Sequence, residues 1–163
     1  MSLSLRQLTP SDVDLLREIR LEGLRLSPEA FGSTFEDEEF APLEKYLGWL
    51  TNSQVFGAFD GPQLVGIAAF GVFTGRKDAH KGWLRAMYVR PANRRTGVSR
   101  LLVQAVLDAA RTRVEQIQLA VVSTNIPAIR LYQSFGFTQY GLEPRALKHH
   151  GIYSDEILMS LRF

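Results

Sequence analysis

The segment from Gly82 to Ala109 restricts the choice of folds more than any other part of the chain. Gly82 to Val89 reads as a strand, stopped by Pro91. A basic turn, Arg94-Arg95-Thr96, and then Gly97 lead into Val98, Leu101, Leu102, Ala105, Val106 and Ala109. Those apolar residues recur at the spacing of one buried helical stripe. A strand that feeds such a helix through a tight turn needs a sheet for the helix to lie on. The same arrangement aims free backbone N–H groups and the positive end of the helix dipole at one point. An anion fits there. Gly97 permits close backbone approach, and Arg94, Arg95 and Arg100 add charge. An ordinary glycine-containing helix start with surface arginines has the same letters, so this segment alone leaves both readings open.

The flanking sequence supplies the rest of the architecture. Thr9-Pro10-Ser11-Asp12 has the residues of a helix start, and a helix should follow to about Leu26 with Leu15, Leu16, Ile19 and Leu24 inward. Ser27-Pro28 ends it. Phe31 to Phe40 reads as a loop, and a short helix covers about Leu43 to Leu50. Val55–Phe59 and Leu64–Phe73 flank the turn signal Asp60-Gly61-Pro62, which predicts an antiparallel hairpin. Gln116–Val122 alternates as a strand. Asn125 should cap a helix with Pro127 in its first turn and Gly136 at its end. Strands over about Phe137–Leu142 and Tyr153–Arg162 close the chain. Runs of strands before isolated helices predict one α+β domain over residues 1–163, with a mixed sheet of about seven strands and about four helices.

Composition narrows the function. A chain of 163 residues suits one domain with a real core. It has no cysteine, which excludes a disulfide scaffold, a thiolate metal site and a cysteine nucleophile. No apolar run approaches the roughly 20 residues that span a bilayer, and the N-terminus does not read as a signal peptide, so a cytoplasmic protein without a membrane partner is expected. Net charge is +2, with ten acidic and four basic residues from Met1 to Glu44, and ten basic and two acidic from Arg76 to Arg113. That asymmetry suits one anionic ligand and one cationic one, or two solvated faces. A nucleic-acid partner is not expected, because the basic segment lacks interleaved exposed aromatics.

The second informative segment is Asn125-Ile126-Pro127-Ala128-Ile129-Arg130-Leu131-Tyr132, continued by Gln133-Ser134-Phe135-Gly136-Phe137. Tyr132 lies about two helical turns after Asn125, on nearly the same face. Taken with the first segment, it resembles the GNAT superfamily of acyl-CoA-dependent N-acyltransferases. That family's loop motif, Arg/Gln-x-x-Gly-x-Gly/Ala, is matched by Arg94, Gly97 and Ser99, with serine in place of the usual Gly or Ala. Its second motif is matched by Asn125, Ala128, Leu131, Tyr132, Gly136 and Phe137.

The resemblance implies acetyl-CoA as donor, an amine as acceptor, and no metal. It is also compatible with a homodimer. It implies that Arg94, Arg95, Thr96, Gly97, Val98, Ser99 and Arg100 hold the pyrophosphate. Met87, Tyr88 and Val89 would line the pantetheine arm between two strands, with Asn125 and Ala128 beside it. A backbone N–H near Tyr88 would polarise the thioester carbonyl, and Tyr132 would protonate the departing thiolate. Many family members carry a glutamate on the fourth strand as base. Here Gly82-Trp83-Leu84-Arg85-Ala86 has no carboxylate, so water, His80, His149 or a glutamate elsewhere is left for that task. Phe31, Phe35, Trp83 and Tyr153 are candidates for the acceptor pocket, and Glu36-Asp37-Glu38-Glu39 for attracting a cationic amine. The missing carboxylate keeps a non-catalytic acyl-CoA sensor as the alternative.

Overall fold

The computed structural model describes all 163 residues. A seven-stranded sheet has the order β1-β2-β3-β4-β5-β7-β6. Its strands are β1 Leu3–Gln7, β2 Gln54–Asp60, β3 Gln63–Val72, β4 Lys81–Val89, β5 Gln116–Val122, β6 Thr138–His149 and β7 Ile152–Arg162. All neighbours are antiparallel except β4 and β5. The helices are α1 Val13–Leu26, α2 Phe35–Glu38, α3 Leu43–Asn52, α4 Val98–Arg111 and α5 Ile126–Ser134.

Strand alternation gives the sheet two apolar faces, and the helices cover both. On one face Leu16, Ile19, Tyr46, Ile67 and Tyr88 join α1 and α3 to β3 and β4. On the other, α4 and α5 pack Leu102, Val106 and Tyr132 against Ala58, Phe70, Ile117 and Met159. Each fully buried Leu or Ile contributes roughly 1.5–3 kcal/mol relative to exposure.

The hairpin expected at Asp60-Gly61-Pro62 forms. Asp60 pairs with Gln63, and Gly61 takes the positive φ that a two-residue turn requires (57°). Three details differ from expectation. The buried stripe of α4 is Val98, Leu102, Val103, Val106, Leu107 and Ala110. Ala105 and Ala109 are half-buried, and Leu101 is 43% exposed, so the helix is rotated from the expected face. On α1, Leu16, Ile19 and Leu24 are buried while Leu15 turns outward. Phe31–Phe40 contains the one-turn helix α2, capped by the Thr34 hydroxyl, which accepts from the Asp37 N–H at 3.1 Å.

β6 also runs on to His149, seven residues past its expected end. Pro144 reads as a strand breaker, but β6 is an edge strand and tolerates proline at a bulge. The register jumps from Glu143↔Glu156 to Leu147↔Ser154, and the Arg145 N–H donates to Asp155 Oδ1 at 2.8 Å. The long β6–β7 hairpin reaches beside the α1–α2 loop and walls in the site described next.

Candidate active site

β4 and β5 pair only over Lys81–Trp83 and Gln116–Gln118. Beyond that point the two strands part and leave an opening through the sheet. The register of β4 against β3 shifts between Ile67 and Ala69, where Ala86 adopts φ 57°. A bulge of this kind bends its strand, which turns β4 away from β5.

The backbone groups of β4 divide between the two edges. Arg90 N–H donates to Val65 O at 2.8 Å, and two residues earlier Tyr88 pairs with Ile67, so both turn toward β3. Val89 faces the opening, because its carbonyl accepts from Arg94 Nε at 3.1 Å. Alternation places the Val89 N–H and Met87 on that same edge. Tyr88 itself is committed elsewhere. Its ring lies against Gly23 of α1, and its hydroxyl donates to Glu22 at 3.0 Å. Burial, then Glu22, pushes its phenol up to about 12.

The loop before α4 carries a row of free donors. No backbone N–H from Arg95 through Arg100 finds an acceptor within the protein; the first bond of the helix is Leu101 N–H to Gly97 O at 3.1 Å. Arg95 and Gly97 both take positive φ (62° and 91°), which curls these N–H groups around one concavity. The Thr96 hydroxyl ties the turn to Asn93 O. The arginines divide their work. Arg94 folds back onto Val89 O and over the Tyr88 ring, and Arg100 donates to Ser134 Oγ at 2.8 Å while covering Phe135. Arg95 is exposed and makes no side-chain contact of this kind, so its charge is the uncommitted one at the loop.

After β5 the chain enters α5. Asn125 Oδ1 accepts from Ala128 N–H at 3.4 Å and caps the helix. Two turns later Tyr132 is buried on the α4–α5 face, edge-on to Phe137 with ring centres 5.8 Å apart. Its hydroxyl bonds to no protein group, and burial pushes its phenol well above the ordinary tyrosine range.

Two adjoining cavities of about 440 and 430 Å³ occupy the opposite, α1–α2 face, and they share Phe31, Gly32 and Ser33. Trp83, Arg85, Tyr140 and Glu156 line the inner one, and Phe35, Glu36 and His149 the outer one. Trp83 lies flat on β3 only because residue 71 is glycine: a Cβ there would sit 2.0 Å from its ring. Arg85 stacks on that ring at 4.5 Å.

Several expected residues lie elsewhere. Tyr153 lines neither cavity; it is held between Arg145 and Lys148, because Ser154, Glu156 and Leu158 take the cavity side of β7 and Tyr153 alternates away. His80 precedes β4 at the end of the sheet far from the opening. Glu38 is no lure for an amine. It is 1% exposed and gripped by Arg20 at 3.0 and 3.1 Å. No three His, Cys, Asp or Glu side chains converge to hold a metal.

Sequence reasoning did not single out Glu156. Its cavity-facing position depends on the register of β7 against β5 and β6, where it pairs with Val122 and Glu143. Burial raises its carboxyl, and the charge of Glu143 directly across raises it further.

The profile of the acetyltransferase (GNAT) family matches residues 21–137, from α1 through α5. The chain belongs to the GNAT family of acetyltransferases. An L-methionine sulfoximine/L-methionine sulfone acetyltransferase of Salmonella typhimurium is 27% identical over 122 residues, 71% of each chain. A spermine/spermidine N(1)-acetyltransferase of Bacillus subtilis is 30% identical over 86 residues, half of this chain and 57% of that enzyme. Among solved structures, the fold is that of a GNAT-family acetyltransferase from Streptococcus pneumoniae, with TM-score 0.88 and 22% identity over 99% of this chain and all of that one. A putative acetyltransferase from Salmonella typhimurium, solved with its cofactor acetyl-CoA, superposes at TM-score 0.87 with 21% identity over 99% and 94%. This GNAT domain is thus an acetyl-CoA-dependent acetyltransferase, and no helix in it is long and apolar enough to cross a membrane.

Proposed function

We propose that this GNAT acetyltransferase moves the acetyl group of acetyl-CoA to a primary amine of a small molecule by direct attack at the opening between β4 and β5. The observation that carries the reading is the position of that opening. A phenol that stays protonated lies on one face of it and an aromatic cavity on the other. The free N–H groups from Arg95 to Ser99, with the positive end of α4 behind them, suit a diphosphate. Pantetheine amides lying in the opening would pair with the unpaired edge of β4 at Met87 and Val89, as an added strand does. A backbone N–H of β4 near Tyr88 polarises the thioester carbonyl, and Tyr132 returns a proton to the leaving sulfur. Asn125 and Ala128 hold the start of α5, and so hold Tyr132 in place.

A small acceptor is favoured over a protein chain because the inner cavity, lined by Phe31, Trp83 and Tyr140 between the α1–α2 loop and the β6–β7 hairpin, holds only about 440 Å³. The two curated relatives act on amino-acid analogues and polyamines. Thiol release from acetyl-CoA, measured against L-methionine sulfone, spermidine and a panel of peptides, tests the reading. Release with a small amine is expected. Binding of acetyl-CoA with no release across the panel would instead favour a sensor, the reading suggested by the bare fourth strand.

The donor loop gives its own prediction. An alanine at Gly97 must adopt φ 91°, a strain of roughly 1–2 kcal/mol. Gly97→Ala should raise the KM for acetyl-CoA about tenfold and leave the acceptor KM unchanged. Steady-state kinetics with each substrate varied in turn checks this.

A further inference from the structure

We infer that Glu156 accepts the proton of the incoming amine, in place of the carboxylate that the fourth strand lacks. This inference rests on the acetyltransferase reading above and names the group that completes it.

The argument is positional. Direct transfer through a sheet opening separates two proton tasks. The leaving sulfur needs a donor where it departs, and the amine needs an acceptor where it arrives. Tyr132 belongs to the α4–α5 face. Glu156 lines the inner cavity on the α1–α2 face. Both are tied to the end of β5: Glu156 pairs with its last residue, Val122, and α5 begins four residues after that strand. Val122 itself lies about 13 Å along β5 past the last β4–β5 pair, at 3.3 Å per residue, within the parted segment.

The carboxylate is also uncommitted. It makes no hydrogen bond or ion pair within the protein, and the two basic groups that line its cavity, Arg20 and Arg85, are not paired with it. Arg20, on α1, is held by Glu38. Arg85, on β4, stacks on Trp83. From β6, Glu143 stands directly opposite and Tyr140 lines the same cavity. The residues of β5 and of the α1–α2 loop that line it are neutral. A partly buried carboxylate beside a second carboxylate holds a proton more readily than an exposed one, which suits a base.

The step balances as follows. The acceptor arrives as an ammonium ion and gives one proton to Glu156, leaving a neutral amine. Its lone pair forms the C–N bond, the C–S bond breaks, and Tyr132 protonates the sulfur. The nitrogen sheds its second proton as the amide forms. Solvent reprotonates Tyr132 and clears Glu156, so one proton is released per turnover.

The test compares wild type and Glu156→Gln in thiol release from acetyl-CoA with spermidine, L-methionine sulfone and hydroxylamine. Hydroxylamine is already neutral near pH 7 and needs no base. Glu156→Gln should lose about 10²-fold in kcat with the alkylammonium acceptors and lose the acidic limb of the pH profile. It should keep hydroxylamine turnover and its protection by acetyl-CoA against thermal unfolding. Wild-type turnover and an intact acidic limb in Glu156→Gln would overturn the inference, as would an equal loss with hydroxylamine. Glu143→Gln removes the opposing charge and should move the acidic limb to lower pH. If Glu156→Gln does not fold, an unmoved limb in Glu143→Gln overturns the inference alone. No thiol release by wild type with any nucleophile would instead sink the transferase reading itself.

Discussion

Tyr132→Phe is expected to lower kcat about 10³-fold while leaving the KM for acetyl-CoA within a few-fold of wild type. The ring remains, so its edge-on packing against Phe137 and its place in the core remain too. The hydroxyl has no partner inside the protein, so its loss should barely change stability. What is lost is one proton donor. Burial holds the phenol well above the usual value near 10, so it stays protonated through neutral and mildly alkaline pH. Any fall in rate that reports its ionisation should therefore lie at strongly alkaline pH. Steady-state kinetics from pH 6 to 10, with thermal unfolding of both proteins, checks the prediction. An unchanged kcat would remove Tyr132 from the chemistry.

Glu38→Ala is expected to destabilise the domain by about 3–5 kcal/mol, the usual cost of leaving one member of a buried pair alone. That corresponds to a fall of about 10 °C in Tm for a domain of this size. Arg20 Nε and Nη2 grip the two oxygens of Glu38, and the Tyr46 hydroxyl donates to Oε2 at 3.2 Å. The Arg20 guanidinium also stacks on Phe31 and Trp49, at 5.0 and 5.1 Å. The pair therefore pins α2 and the Phe31 wall of the cavity onto α1 and α3. Burial pushes the Glu38 carboxyl up, but Arg20, then Ser33 and Lys45, outweigh it and hold it below the usual range. The sign follows: this stabilisation is complete above the unfolded carboxylate value near 4.3 and is lost as pH falls through the lowered folded value. A chemical-denaturation series should show a wild-type advantage over Glu38→Ala that shrinks on acidification. Arg20→Met combined with Glu38→Leu should recover much of the loss, since no charge is then left buried and unpaired.

The turn before α4 and the start of α5 were legible in the sequence because they are local. Pro91, Gly97, Asn125, Pro127 and Gly136 each mark a boundary by backbone constraint alone, and a helix N-terminus presents free N–H groups whatever packs around it. Most of the element order, α2 excepted, and the Asp60–Gln63 turn were legible for the same reason. The faces were less so. Leu101 and Leu15 fit an apolar period yet point outward, because a stripe three or four residues wide leaves its rotation to the partner sheet. Pro144 hid half of β6, because only an edge position makes proline tolerable there.

The sequence by itself determined the family, the glycine turn that opens α4 and the place of Tyr132 on α5, since each rests on residues a few positions apart. Tertiary structure alone decided which residues line the cavities on the α1–α2 face. Glu38 looked like part of an acidic lure and is a buried strut, while Tyr153 looked like a pocket wall and faces away. Glu156 gave no signal along the chain. Its position depends on pairing with Val122 and Glu143. In a strand, a shift of one residue in that register would turn its carboxylate to the other face of the sheet.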